Sequence, residues 1–241
     1  MNLILDIGNT YTKIAVFKKN VMLEKVAISS DLIDNNIQKL QKKYPLKNCI
    51  VSSVTKLRSD TIKCIGVFDK SIELNQKTNV PFQNHYKTPT TLGVDRIALA
   101  SASVSQYSNQ NTLVIDAGTC ITYDFINTSN EYLGGAISPG ISIRYKALHQ
   151  FTANLPLLEP DTYQLIGKDT KSSIHSGVLN GLIHEVDGII DQYSNKYSNL
   201  TVVLTGGDTI FLAKKLKSSI FANPNFLLEG LNSILIHNLN K

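Results

Sequence analysis

Three aspartates in this 241-residue chain sit in settings that suit phosphate chemistry: Asp6 in LILDIGNTYTK, Asp116 in LVIDAGTCITYD, and Asp95 in LGVDRIALASAS. The first two share one pattern. Each ends an apolar run, has Gly two positions on (Gly8, Gly118), and is followed by hydroxyls, Thr10 and Thr12 in one and Thr119 in the other. A strand, an acidic residue, a small polar turn and a returning strand make a β-hairpin able to hold a phosphate. Glycine lets the backbone approach with no Cβ in the way, turn amides point outward, and threonine hydroxyls donate. A carboxylate at the strand end is then placed to hold a metal ion or its water rather than the phosphate itself. Alone, IGNT also reads as a type I′ turn, because Asn and Gly favour positive φ. Two copies about 110 residues apart, each opening an α/β half, point to a duplicated domain whose hairpins face one another across a cleft.

The third aspartate has a different neighbour. Gly93 opens a segment in which Ile97, Ala98, Ala100, Ala102 and Val104 read as a small-residue helix, which puts Asp95 and Arg96 in its first turn. Asp complements the positive end of a helix dipole. Arg opposes it and so calls for a partner, and an anionic ligand suits that role.

The elements that carry these residues can be read in outline. Strands over 3–7, 11–17 and 21–28 form a meander, and Asp31 reads as the N-cap of a helix carrying Leu32, Ile33, Ile37 and Leu40 as far as Lys43. Short strands follow at 48–54 and 71–74, then a loop over 75–91, with Pro81 and Pro89, that crosses toward the site. The polar stretch 105–111 divides the chain into 1–109 and 110–241. The second half repeats the theme with strands over 112–128 and 131–136, an ISPG turn into a helix over 141–150, and a helical region over 171–197. A strand at 201–204 ends in TGGD, where Asp208 reads as a cap, and a helix over 227–239 finishes the chain. Gly167-Lys168 does not complete a Walker loop, since residue 162 is Thr where the first Gly would stand and no strand precedes it.

Composition narrows the class. No apolar run approaches bilayer length, and Asp6 falls where a signal peptide would have its hydrophobic centre, so the expectation is a cytoplasmic protein with no membrane partner. Cys49, Cys64 and Cys120 form no C-x-x-C pair, and the five histidines show no metal-binding spacing. The net charge of +5 suits an anionic ligand. With only three arginines (Arg58, Arg96, Arg144) and scattered lysines, the pattern argues against nucleic acid.

The order D-x-G-N-T-x-x-K at 6–13, G-V-D-R at 93–96, D-A-G-T at 116–119, GGAISPGI at 134–141 and TGG at 205–207 resembles type III pantothenate kinase, of the acetate kinase, sugar kinase, Hsp70 and actin superfamily. The likeness covers nearly the whole chain. It implies an α/β fold of duplicated ribonuclease H-like (actin-like ATPase) domains, usually a homodimer, that phosphorylates pantothenate with ATP in the first step of coenzyme A synthesis. Carried over by position, Asp6, Ile7, Gly8, Asn9, Thr10, Tyr11, Thr12 and Lys13 would be the first phosphate loop, and Thr119 would touch the nucleotide. Asp116 would bind a monovalent cation, potassium or ammonium, with Mg²⁺ accompanying ATP. Gly93, Val94, Asp95 and Arg96 would bind pantothenate with Asp95 as proton acceptor, and Tyr86 and Thr170 match substrate-contacting positions. The second loop departs from many members in having Ala117 in place of Phe and Cys120 in place of Ala, changes that leave its acidic and hydroxyl groups intact. Two other readings share the fold: a kinase for a sugar or a carboxylate, and a non-catalytic transcription accessory factor. Retention of Asp6, Asp95 and Asp116 together argues against the latter.

Overall fold

The computed structural model describes residues 1–8, 11–53 and 57–240. In chain order the elements are β1 (Asn2–Ile7), β2 (Thr12–Lys18), β3 (Val21–Ile28), α1 (Ile33–Lys43), β4 (Asn48–Ser53), α2 (Ser59–Ile65), β5 (Lys70–Glu73), β6 (Gln83–Asn84) and α3 (Val94–Gln106). They continue with β7 (Thr112–Ala117), β8 (Cys120–Ile126), β9 (Glu131–Pro139), α4 (Ile141–Gln150), α5 (Thr170–Lys196), β10 (Thr201–Thr205), α6 (Thr209–Ala213), β11 (Phe221–Ala222) and α7 (Phe226–Leu239).

The chain forms two units. The first holds Met1–Ser108, Asn130–Tyr132 and Asn225–Lys241, and the second holds Asn109–Ser129 and Leu133–Pro224. This differs from a simple division into 1–109 and 110–241, because a three-residue piece and the last helix return to the first unit. The reason is visible in α3 and α7. Residues Ala98, Ala100 and Ala102 leave α3 thin enough for Gly230 of α7 to lie directly on it, so close that a Cβ on Gly230 would stand 1.9 Å from the Ala98 carbonyl oxygen.

In the first unit the strand order is β3-β2-β1-β4-β5, with β1 antiparallel to β2 and parallel to β4. Alternation along β1 sends Leu3, Leu5 and Ile7 to a core shared with Ile33, Ile37 and Leu40 of α1 and with Ile65 of α2. Asn2, on the opposite face, donates to the Asn232 side chain of α7 at 3.0 Å, and Asn232 in turn donates to the Lys19 carbonyl at 2.9 Å. The second unit repeats the order: β9-β8-β7-β10-β11 runs as β3-β2-β1-β4-β5 does. Its core gathers Leu113, Ile115, Tyr123, Val202 and Leu204 from the sheet against Leu179, Leu182 and Val186 of α5. Arg144 of α4 is committed to this architecture, donating to Glu185 of α5, which also accepts from the Tyr123 hydroxyl at 3.0 Å.

Two local expectations need correction. Asp31 does not cap α1: it lies inside a 3₁₀ turn, Ser30–Leu32, that leads into the helix. The region read as an unbroken loop contains the two-residue strand β6, whose Gln83 and Asn84 pair in parallel with Glu131 and Tyr132 of the same unit.

Candidate active site

The first hairpin joins β1 to β2. Asp6 and Lys13 are cross-strand partners on β1 and β2, with Lys13 Nζ 3.9 Å from Asp6 Oδ2. The Gly8 amide donates to the Tyr11 carbonyl at 3.1 Å. Asn9 and Thr10 lie outside the described residues. Strand alternation separates the remaining loop residues. Ile7 faces the core, Tyr11 is exposed, and Thr12 is fully buried with its hydroxyl 3.4 Å from that of Ser30. The expectation that the Thr12 hydroxyl adds a donor toward a phosphate is therefore corrected: it points inward.

Asp6 is largely withdrawn from water, and this burial pushes its carboxyl above the usual aspartate range. Lys13 opposes the shift, and the negative charge of Asp95 adds to it. Two carboxylates about ninety residues apart in sequence thus share one electrostatic environment within the first unit.

Asp95 owes its place to a glycine. Gly93 is the N-cap of α3, and the Asp95 carboxylate folds back over the helix start to accept from the Arg96 amide at 2.8 Å. A Cβ on Gly93 would lie 2.3 Å from Asp95 Oδ1, so this residue is needed for space, its φ of −59° being open to any residue. Arg96 is only 5% exposed. Its guanidinium lies over two rings, 5.5 Å from the centroid of Tyr86 and 5.9 Å from that of Tyr132. Val94 fills the first helical position beside them. In the first unit, then, the structure brings together Asp6, Lys13, Asp95, Arg96 and Tyr86.

The second hairpin lies in the second unit. Asp116 of β7 pairs across the sheet with Thr122 of β8 and with Thr205 of β10. The Gly118 amide donates to the Cys120 carbonyl at 3.0 Å, and Thr119 is exposed at the tip. Two other motifs close on this loop. Gly140, the last residue of GGAISPG, donates to the Thr119 carbonyl at 3.1 Å, and a Cβ there would stand 2.0 Å from the Gly118 oxygen. Gly206 of TGGD has φ +96°, where L-residues are strained, and a Cβ there would meet Asp116 Oδ1 at 2.4 Å. The next amide but one, Asp208 N–H, donates to the Ala117 carbonyl at 2.9 Å.

Thr170 opens α5, one residue beyond the Asp169 N-cap, on a groove of about 990 Å³ between α4 and α5. Tyr132 has no counterpart among the sequence-derived site residues. The available signal was an aromatic residue just before the Gly134-Gly135 pair, which is too common a pattern to single out. Among the described residues, no group of three or more His, Cys, Asp and Glu side chains is arranged to hold a metal ion.

Comparison with known proteins gives the family and the fold. A family model for type III pantothenate kinase matches residues 2–192. The chain is 51% identical over 241 residues to the type III pantothenate kinase of Christiangramia forsetii, covering 99% of each. Among solved structures, a Campylobacter jejuni protein named for the Baf family of transcriptional activators superposes with TM-score 0.62 at 22% identity, over 99% of this chain and 100% of that one. An inorganic polyphosphate/ATP-glucomannokinase from Arthrobacter sp. strain KM gives TM-score 0.51 at 13% identity over the whole of both chains. At such identities the structures speak for the fold, an α/β duplication of ribonuclease H-like, actin-like ATPase domains. The chain belongs to the type III pantothenate kinase family.

Proposed function

We propose that the first unit carries the first phosphate loop and the acceptor residues Tyr86 and 93–96, and that the second unit carries the second loop and Thr170. The family's activity is ATP-dependent phosphorylation of pantothenate in coenzyme A synthesis, and the chain is a kinase of that kind. Asp6, Ile7, Gly8, Asn9, Thr10, Tyr11, Lys13 and Thr119 are assigned to ATP, and Thr12, whose hydroxyl is buried, is not. Tyr86, Gly93, Val94, Asp95, Arg96 and Thr170 are assigned to pantothenate. The observation that carries this reading is the meeting of Asp6, Lys13, Asp95 and Arg96 in one unit, with the charge of Asp95 felt at Asp6.

Phosphoryl transfer asks a protein chiefly to align donor and acceptor and to neutralise phosphate oxygens. Loop amides and Lys13 suit the phosphates. The planar fork of Arg96, lying against two neighbouring rings, suits the carboxylate of pantothenate better than an ammonium would. Asp95 accepts the proton of the primary hydroxyl as its oxygen bonds to the γ-phosphorus and the bond to the ADP oxygen breaks. The carboxylates also fit cations. Asp6 is desolvated beyond what Lys13 at 3.9 Å offsets, and no trio of ligands exists among the described residues. Each carboxylate would hold its cation together with phosphate oxygens and water, as oxygen-loving ions are held. Asp6 is assigned to Mg²⁺ with ATP and Asp116 to potassium or ammonium, which would supply charge neutralisation.

A homodimer and a cytoplasmic location belong to the same proposal. The groove beside Thr170 is lined by Ile143, Leu148, Leu155 and Val178, with Phe151 81% exposed at its edge, an apolar surface suited to a second copy. No helix among the described residues is long and apolar enough to cross a membrane.

One assay tests the whole reading: ATP consumption with and without pantothenate, in potassium and then in sodium. Potassium-dependent turnover only with pantothenate is expected. Turnover with a sugar or acetate in its place, or DNA binding that persists at moderate salt with no turnover, would overturn it.

A further inference from the structure

Tyr132 lies outside every motif that identifies the family, yet it packs against two residues assigned to the acceptor, Tyr86 and Arg96. It is fully buried. Its ring packs against Phe82 at 5.9 Å and against Tyr86 at 6.2 Å between centroids, and the Arg96 guanidinium lies 5.9 Å over it. Its backbone is engaged as well. The Tyr132 carbonyl accepts from the His85 amide at 3.0 Å, and the Asn130 carbonyl accepts from the Gln83 amide at 3.1 Å. The stretch Asn130–Tyr132 therefore ties down the segment that presents Tyr86, while the Tyr132 ring backs Arg96.

We propose that Tyr132 is a positioning residue of the acceptor site, fixing the Arg96 guanidinium and the Tyr86 ring in the arrangement that receives the pantothenate carboxylate. This rests on the assignment of Arg96 and Tyr86 to pantothenate. An arginine has several rotatable bonds, and a cation lying against two neighbouring aromatic rings is held electrostatically in one orientation, which presents its planar fork to a planar anion. With one face removed, the side chain samples other rotamers and binds the carboxylate less often. The cost then falls on acceptor binding, because the ring and the cation that Tyr132 packs against, Tyr86 and Arg96, are the groups assigned to pantothenate.

The test is steady-state kinetics of Tyr132→Leu and Tyr132→Phe, each varied in pantothenate and in ATP. Tyr132→Leu should raise KM for pantothenate about tenfold, with kcat and KM for ATP changed by no more than about twofold. Tyr132→Phe, which keeps the ring, should restore wild-type values. If Tyr132→Leu does not fold, Tyr132→Met, closer in volume and also without a π face, carries the same expectation. A double-mutant cycle with Arg96→Lys adds a readout that a merely structural role would not move: in the lysine background the effect of Tyr132→Leu on pantothenate kcat/KM should largely vanish. An unchanged pantothenate KM, an equal loss in both substrates, or additive effects in the cycle would overturn the positioning role. Failure of the wild-type protein to turn over pantothenate would instead overturn the assignment beneath it.

Discussion

A single methyl group at position 93 would occupy the place now taken by the Asp95 carboxylate, and this makes the glycine of GVDR a test of the proton acceptor. Gly93→Ala is sterically free in its own φ, so the helix should form normally while the carboxylate is forced off the Arg96 amide. The expected outcome is a fall in kcat with the fold retained and the thermal midpoint lowered by a few degrees, the modest cost of an N-cap Gly→Ala change. Asp95→Asn should cost more, about 10²- to 10⁴-fold in kcat, the usual worth of a general base. If Asp95→Asn turned over pantothenate at the wild-type rate, Asp95 would not be the base, and a wild-type rate in Gly93→Ala would mean that the carboxylate's contact with the Arg96 amide does not set its position for catalysis. At this scale the sequence was informative where chemistry is local. Asp95 and Arg96 stood out because an arginine in a helix's first turn opposes the dipole and needs a reason to be there. Tyr132 did not stand out, because its partners are 36 and 46 residues away and no short-range pattern links an aromatic ring to a distant guanidinium. The inward turn of Thr12 was likewise hidden, since β alternation fixes which residues share a face but not which face meets the core.

At the scale of elements, legibility followed length and periodicity. The strands around both phosphate loops and the helices α3, α4 and α5 fall within a few residues of their expected bounds, because each presents several apolar residues in register. The seven-residue α2 was missed, as two turns hold too few core positions to show a period. The start of α5 carries a prediction of its own. Asp169 caps it in a reciprocal box, accepting from the Ser172 amide at 2.9 Å while its own amide donates to the Ser172 hydroxyl at 3.1 Å. The hydrogen bonds from Ser172 hold the Asp169 carboxyl below its ordinary value of 3.8. A carboxyl depressed in the folded state stabilises fully above its unfolded pKa and loses that effect as pH falls through the folded one. Asp169→Asn should therefore lower the melting temperature at neutral pH, with the gap to wild type narrowing below about pH 4. A gap that stays constant into the acid range would show that charge at this cap contributes nothing.

At the scale of the whole molecule, two units share one strand order, yet the chain does not split between them cleanly. Helix α7 comes after the second unit in sequence and folds into the first. Sequence periodicity could find that helix but not its destination, because an apolar face says only that something covers it. The destination is fixed by two fine details, the polar link from Asn2 to Asn232 and the close approach of Gly230 to α3. The energetic weight of α7 follows from its buried Phe226, Leu231, Ile234 and Leu235. At about 1.5–3 kcal/mol each, these four contribute on the order of 6–12 kcal/mol, as much as the net stability of a whole domain. A chain ending at Pro224 should therefore fail to hold its first unit together. In hydrogen exchange, amides of β1 and β4 should lose protection while those of β7 and β10 in the second unit keep it. Adding a peptide of residues 225–241 should restore protection to β1 and β4 alone. Persistent protection of β1 in the shortened chain would mean that the first unit's core is complete without α7, and that α7's burial contributes far less than its area implies.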